Sequence, residues 1–417
     1  MPQPVLLVFS HLRWGFVYQR PQHLLSRLAG RWRVLFVEEP LRTEGPARLE
    51  VQQRAPNLQI LVPHTPVAAG GFHDDQLPVQ AALLDDFLRS ERLSVDAAWL
   101  YTPMALPLLA SVNPQCVVYD CMDELSAFKD APRQLRQRES ALLKRADLVL
   151  TGGPSLFEAK RHQHPEVHCL PSAVDAVHFG AGNLKPGSEH AKHAESLQAG
   201  LPGPRLGFYG VIDERLDIDL VAAVADAHPD WSIVMAGPVV KIDPGSLPQR
   251  ANIHWLGMQS YEHLPYLLAG WDVCLMPFAL NEATRFISLT KTLEYMAGGK
   301  PVVSTPIRDV VSLYGEAVEV AEGPEQFVAA CERLLAEDVH ARSRRAADMA
   351  AAVKRYSWDA GARHVDLLLQ SALAQASEAD ARGHALDVGS VAPAVPAAAV
   401  QTASQRTTRV ANSTARP

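Results

Sequence analysis

The sequence predicts an α/β protein built from two doubly wound parallel sheets that face a central cleft. Two observations carry this expectation. Short apolar runs alternate with helical patterns along most of the chain, and the alternation comes in two series separated by a stretch rich in Gly, Pro and His. The runs are apolar on both faces, as strands are when helices cover a parallel sheet from both sides.

The first series is VLLVF (5–9), RVLFVE (33–38), LQILV (58–62), AAWLY (97–101), CVVYD (116–120) and DLVLT (147–151). After its first run, Pro21 fits the first turn of a helix reaching about Ala29, because a missing N–H costs nothing there. The second series is RLGFYG (205–210), WSIVMAG (231–237), NIHWLG (252–257), DVCLMP (272–277), PVVST (301–305) and AVEVA (317–321). Helical patterns over 217–228, 261–269 and 324–336 lie between its runs. This divides the chain into a Rossmann-like domain at 1–172, a connection at 173–204, a second Rossmann-like domain at 205–355 and a helix at 356–376. Residues 377–417 are Ala, Pro, Ser, Thr and Val without period, so they are expected to be disordered. In open sheets of this kind ligands bind beyond the carboxyl ends of the strands, and two facing sheets share that place.

Composition narrows the function. The 417 residues are 47% hydrophobic and 20% charged, as in a globular protein, and the net charge of −7 argues against a nucleic-acid partner. No apolar run approaches the roughly 18 residues of a membrane span, and the start MPQPVLLVFSHLRW does not read as a signal peptide. Five widely spaced cysteines with no Cys-x-x-Cys pair point to reduced, mostly buried thiols and a cytoplasmic location. The histidine-rich stretches RHQHPEVH (161–168) and HAKH (190–193) lack a metal frame, so no metal site is expected. No Walker loop, Gly-x-Gly-x-x-Gly or Gly-x-Ser-x-Gly follows the first strand.

The stretch SLTKTLEYMAGGKPVVST (288–305) carries chemistry. Residues three apart share a helix face, so Lys291 and Glu294 point the same way, near a helix start whose amides favour an anion. A cation there suits a diphosphate, and a carboxylate one turn on suits the two hydroxyls of a ribose. Gly298 and Gly299 then allow a left-handed cap before the next strand. An ordinary surface ion pair, worth about 0.2–0.5 kcal/mol, has the same spacing.

TKTLEYMAGGKPVVST resembles the donor-site segment of family 4 retaining glycosyltransferases, which have the two-domain GT-B fold. The order of other segments agrees: RADLVLTGGPSLFEAKR with VHCLPSAVDAVHF (145–179), LGFYGVIDERLD (206–217), NIHWLGMQSYEHLPYLLAGWDVCLMPF (252–278) and YSWDAGARH, similar to a closing helix that crosses back to the first domain. The likeness spans about residues 4–376. HLRWGFVYQRPQHLLSRLA with VVYDCMDELSAF is similar to a subgroup of bacterial polysaccharide-building enzymes.

The resemblance implies transfer of a sugar from a nucleotide-diphosphate sugar to a growing polysaccharide or lipid-linked glycan, with retention and with neither metal nor other cofactor. It implies that Lys291 meets the diphosphate, Glu294 the ribose and Arg215 the phosphate, with Ser288 opening the donor segment. Gly210 and Gly237 let the nucleotide approach the backbone, and Met258 and Gln259 lie against the base. One departure stands out: where the family has a Glu-x₇-Glu pair ending at Glu294, the first position is Phe286. The neighbouring Asn281, Glu282 and Thr284 are then expected to touch the transferred sugar. Phe286 also keeps open a non-catalytic nucleotide-sugar-binding protein, and the architecture a sugar-nucleotide epimerase.

In the first domain, the loop after the first strand holds Arg13, Gly15, Tyr18 and Arg20. Gly15 would approach the transferred sugar and phosphate, and Arg13, Tyr18 and Arg20 would bind the acceptor. The resemblance implies a polar group over the reacting sugar, a role expected of Asp123 and after it Asp120 at a strand end, although such aspartates also end strands and cap helices. The basic segment 132–145, with Arg133, Arg136, Arg138, Lys144 and Arg145, either lies on an anionic membrane face or is a solvated helix face.

Overall fold

The computed structural model describes residues 3–128 and 131–388, with side chains as far as Glu378. The first sheet contains β1 (Val5–Ser10), β2 (Arg33–Glu38), β3 (Leu41–Arg42), β4 (Arg48–Ala55), β5 (Leu58–Thr65), β6 (Ala97–Leu100), β7 (Cys116–Cys121), β8 (Leu148–Thr151) and β9 (Val167–Cys169). Its order is β3-β5-β2-β1-β6-β7-β8-β9, with β4 paired to β5. The second sheet contains β10 (Arg205–Tyr209), β11 (Ser232–Ala236), β12 (Ile253–Gly257), β13 (Val273–Met276), β14 (Val302–Ser304) and β15 (Glu319–Val320), in the order β12-β11-β10-β13-β14-β15. In both, the chain winds outward from the first strand in two directions, which puts a crevice at the reversal point beside β1 and β10.

The apolar runs form strands because both of their faces are covered. Leu7, Phe9 and Leu35 enter one core cluster of the first domain, while Leu6, Val8 and Phe36 enter another on the opposite face. The antiparallel pairing of β4 with β5 is absent from the sequence reading, which expects parallel strands alone. RLEVQQRA is largely exposed, so burial writes no apolar pattern into it.

Two boundaries differ from expectation. The segment 173–204 is folded rather than a plain connection. It carries helices Ala176–Phe179 and Glu189–Gln198, and Val174, Phe179 and Ala194 enter the core of the second domain. The closing helix runs from Trp358 to Val388 instead of ending near 376, while 389–417, where the sequence predicts disorder, lie outside the described residues. This helix crosses back as expected. Trp358, Ala362, Val365 and Leu369 pack with Leu24 and Trp32 of the first domain, and Trp32 Nε1 donates to Asp366 at 2.8 Å.

Two polar contacts join the domains along the cleft. Asp309, at the start of helix Arg308–Tyr314, accepts hydrogen bonds from the Ser155 amide at 3.0 Å and from the Ser155 hydroxyl, in the first turn of helix Pro154–Lys160. Ser172 Oγ donates to the Ser288 carbonyl at 3.2 Å. The Asp309 carboxyl is buried, which raises its pKa, and its hydrogen bonds from Ser155 oppose that shift. Asp309→Ala leaves a buried amide and hydroxyl unpaired and should lower stability by about 1–3 kcal/mol in chemical denaturation. Coincident denaturation curves for the variant and the parent would refute a stabilising cap.

Candidate active site

The second-domain wall of the cleft begins with two glycines. Gly210 follows β10 with φ +142° and Gly237 follows β11 with φ +151°. A Cβ on Gly237 would lie 1.8 Å from the Gly210 carbonyl oxygen, and one on Gly210 would lie 2.7 Å from Lys291 Cε. Side chains are thus excluded where the two strand ends and the lysine converge. Helix Thr290–Ala297 points its start into the cleft, and its N-cap, Leu289, supplies no side-chain acceptor for the first amides. At its other end Gly299 takes the left-handed conformation, φ +73°, as the glycine pair predicts.

Lys291 and Glu294 both line the cleft, yet they form no ion pair. Lys291 Nζ sits 5.1 Å from the Phe278 ring centroid and 5.5 Å from that of Phe208, with no hydrogen bond or ion pair among the described residues. Burial and the positive charge of Arg215 push its pKa below the usual lysine range. Glu294 Oε2 accepts from the Tyr209 hydroxyl at 2.9 Å, and the Tyr295 hydroxyl accepts from the Tyr209 amide at 2.9 Å. The helix is therefore locked to the end of β10. Burial raises the Glu294 pKa, with the Tyr209 hydrogen bond opposing it. A surface ion pair is excluded: Glu294 is only 6% exposed.

Arg215 completes the cationic side. Its Nε and Nη2 donate to Asp213 at 2.9 and 2.8 Å, leaving Nη1 without a partner among the described residues. From the first domain comes Asp123, half-buried, with its carboxyl raised to about 6 by burial against the opposing charge of Arg215 and Arg20. The cleft between these walls is lined by residues of both domains and opens to solvent. Such a site can hold an anion on Arg215 and Lys291 and accept hydroxyl hydrogens on Glu294 and Asp123.

Of the other residues expected here, Gly210, Gly237, Met258, Gln259, Ser288, Tyr18 and Arg20 line the cleft. Tyr18 stacks on Tyr261 of the second domain with centroids 4.5 Å apart. Arg20 has a different task from acceptor binding. It is 3% exposed, its Nε and Nη2 donate to Asp120 at 3.0 and 2.8 Å, and Nη1 donates to the Leu170 carbonyl. Asp120 is fully buried by the same pair, so it does not stand over a substrate. Two buried charges must satisfy each other before either can serve a ligand.

Other expectations are corrected outright. Arg13 is drawn away by Glu38 at 2.9 Å, and Gly15 lies in an exposed turn that does not reach the cleft. Asn281 and Thr284 close a turn on each other: the Asn281 amide donates to Thr284 Oγ1 at 3.0 Å and the Thr284 amide to Asn281 Oδ1 at 3.1 Å. Glu282 is exposed beside Arg285. None of the three lines the cleft, so they do not replace the carboxylate missing at Phe286. Phe286 packs against the first-domain core instead.

The sequence reading missed Gly152, Ser172 and the Leu289–Thr290 backbone, all at the cleft. The doublet Gly152–Gly153 after β8 was a usable signal. A Cβ on Gly152 would meet the Met122 carbonyl oxygen at 2.4 Å, and one on Gly153 would meet Asp309 Oδ2 at 2.1 Å.

Two facing Rossmann-like sheets sharing a cleft at their carboxyl ends define the GT-B fold. Solved structures agree: sucrose-phosphate synthase from Thermosynechococcus elongatus superposes with a TM-score of 0.67 at 16% identity, covering 90% of this chain and all of that one. Anabaena HepE, solved in complex with UDP and glucose, gives 0.63 at 15% identity over 88% of this chain and all of its own. Residues 203–337 match the family model described as glycosyl transferases group 1. A putative teichuronic acid biosynthesis glycosyltransferase, TuaH of Bacillus subtilis strain 168, is 26% identical over 61% of this chain and 68% of its own. This chain has the GT-B fold, and its second domain carries the segment matched by that glycosyltransferase family.

Gly237→Ala forces an alanine into a positive-φ position and against the Gly210 carbonyl. It should destabilise the fold by more than 1 kcal/mol and abolish nucleoside-diphosphate binding in calorimetry. An alanine variant that bound and melted like the parent would contradict this packing.

Proposed function

We propose that the enzyme uses a nucleotide-diphosphate sugar to extend a polysaccharide or lipid-linked glycan, with retention at the anomeric carbon and without a divalent metal. The observation that carries the donor reading is the placement of two cationic donors without partners among the described residues, Arg215 Nη1 and Lys291 Nζ, near the Glu294 carboxylate and a helix start without a side-chain cap. The diphosphate lies along the cations and the ribose hydroxyls meet Glu294. The base rests against Met258 and Gln259, whose side chain is fixed by His193 at 3.0 Å and the Leu256 carbonyl at 2.9 Å. UDP in the HepE complex and the teichuronic acid role named for the Bacillus relative support a nucleotide-sugar donor and a polysaccharide acceptor.

As the bond from the anomeric carbon to the phosphate oxygen lengthens, the sugar gains oxocarbenium character and the departing diphosphate gains charge. Arg215 and Lys291 stabilise that charge in a partly dry cleft. Asp123, as carboxylate, accepts a hydroxyl hydrogen of the sugar. The acceptor hydroxyl attacks from the face the diphosphate leaves, and its proton passes to the departing phosphate oxygen.

Among the described residues no helix is long and apolar enough to cross a membrane. A lipid-linked acceptor is then reached from a cytoplasmic, peripheral position. Arg133, Arg136, Lys144 and Arg145 are exposed along or just before helix Leu135–Arg145, whereas Arg138 is bound to Asp74 and the Met104 carbonyl and is unavailable. Arg145 lies 3.7 Å from Asp147, and the other three offer a cationic face to an anionic membrane.

Lys291→Ala should reduce kcat about 10²- to 10³-fold with the best donor from a nucleotide-sugar panel, as the loss of one charge-stabilising donor does. Parental turnover would reject the diphosphate role, and a strict requirement for a divalent cation after chelation would reject the metal-free reading. kcat/KM should rise as pH climbs through about 6, where Asp123 loses its proton, and fall again below the usual lysine range, where Lys291 loses its own. Asp123→Asn should remove the acid limb; a limb that persists belongs to another group.

A further inference from the structure

Arg215 is held from two directions. Along its edge, Nε and Nη2 donate to Asp213 two residues earlier in the same loop. Over its face lies a ring of the other domain: the guanidinium carbon is 5.5 Å from the centroid of Phe128, which follows the short turn Leu125–Ala127 after β7. The same ring receives Lys241 Nζ at 5.0 Å. Lys241 has φ +61°, a conformation lysine rarely adopts, and makes no ion pair or hydrogen bond among the described residues. Two cations of the second domain therefore contact one aromatic ring of the first.

The aromatic partners of Lys291 differ in origin. Phe208 and Phe278 both belong to its own domain, so Lys291 is placed whatever the first domain does. Asp213 alone fixes the edge of Arg215 but not its tilt about that edge, and the free Nη1 points usefully only when the tilt is set. A ring face attracts a guanidinium through its quadrupole and stacks flat against it.

We infer that Phe128 is a positioning residue that orients Arg215 from across the cleft, so that the cationic half of the site is complete only when the two domains are together. Lys291 then binds the phosphates in either state, and Arg215 joins when the acceptor domain is in place. This rests on the reading of Arg215 as a phosphate ligand.

The test is a double-mutant cycle between Phe128 and Arg215, with UDP affinity and melting temperature measured on every variant. Phe128→Leu keeps the apolar volume and removes the aromatic face. It should lower kcat about 3- to 30-fold, the range a cation–π contact spans from exposed to desolvated, while UDP still binds through Lys291 and Glu294. Phe128→Tyr and Phe128→Trp should restore turnover. In an Arg215→Ala background, Phe128→Leu should cost nothing more. The inference is overturned if Phe128→Leu turns over like the parent, if Tyr fails to rescue, or if the Leu loss persists in full without Arg215. Parental turnover by Arg215→Ala itself would instead remove the phosphate-ligand reading, and the inference with it.

Discussion

Two like charges share one half-buried cleft, and the rest of the site is arranged around their repulsion. Burial, and after it the charge of Arg215, lowers the Lys291 pKa. Each is offset differently. Arg215 has a carboxylate, Asp213, on its edge, whereas Lys291 lies over the rings of Phe208 and Phe278 and makes no ion pair among the described residues. Neutralising both with carboxylates would stabilise the empty protein and weaken it as an anion site. Leaving Lys291 on aromatic faces keeps its charge usable while lowering the cost of burying it.

The same logic explains where the carboxylates stand. Glu294 is one helical turn from Lys291, yet it is turned to the Tyr209 hydroxyl and does not quench the lysine. Asp120 is consumed by Arg20, and Glu38 by Arg13, both on the first-domain side. Asp123 is the carboxylate left facing the cleft from that side, raised by burial into the range where its charge changes near neutral pH. The distribution separates groups that hold the walls together from groups that remain available for a ligand.

The walls are joined by contacts that no single domain contains. Asp309 reaches Ser155, Ser172 reaches Ser288, and Trp358 on the closing helix lies flat against His23 with ring centroids 4.8 Å apart. These contacts set the spacing of the two strand-end rows. They pair an element of one domain with a distant partner in sequence, and a sequence read element by element does not announce them. The histidine-rich stretches behave similarly: His193, in a stretch without a metal frame, fixes the side chain of Gln259.

The sequence by itself determined the strands that are buried on both faces, the two series of crossings and the helix carrying Lys291 and Glu294. Each of these follows from local periodicity and from glycine at positions of positive φ, which neighbouring residues suffice to specify. Gly210, Gly237 and Arg215 were pointed to by the family resemblance of their segments and not by local periodicity. Only the tertiary structure decided which charged side chains were free. Arg13 and Arg20 look as available in the sequence as Arg215, but Glu38 and Asp120 come from other strands and pair with them on folding. The same holds for the loop with Asn281 and Thr284, which bonds to itself, and for Phe286, whose partner surface belongs to the opposite domain. Pairing energy depends on distance in space, and the chain order fixes that distance only after both sheets have formed.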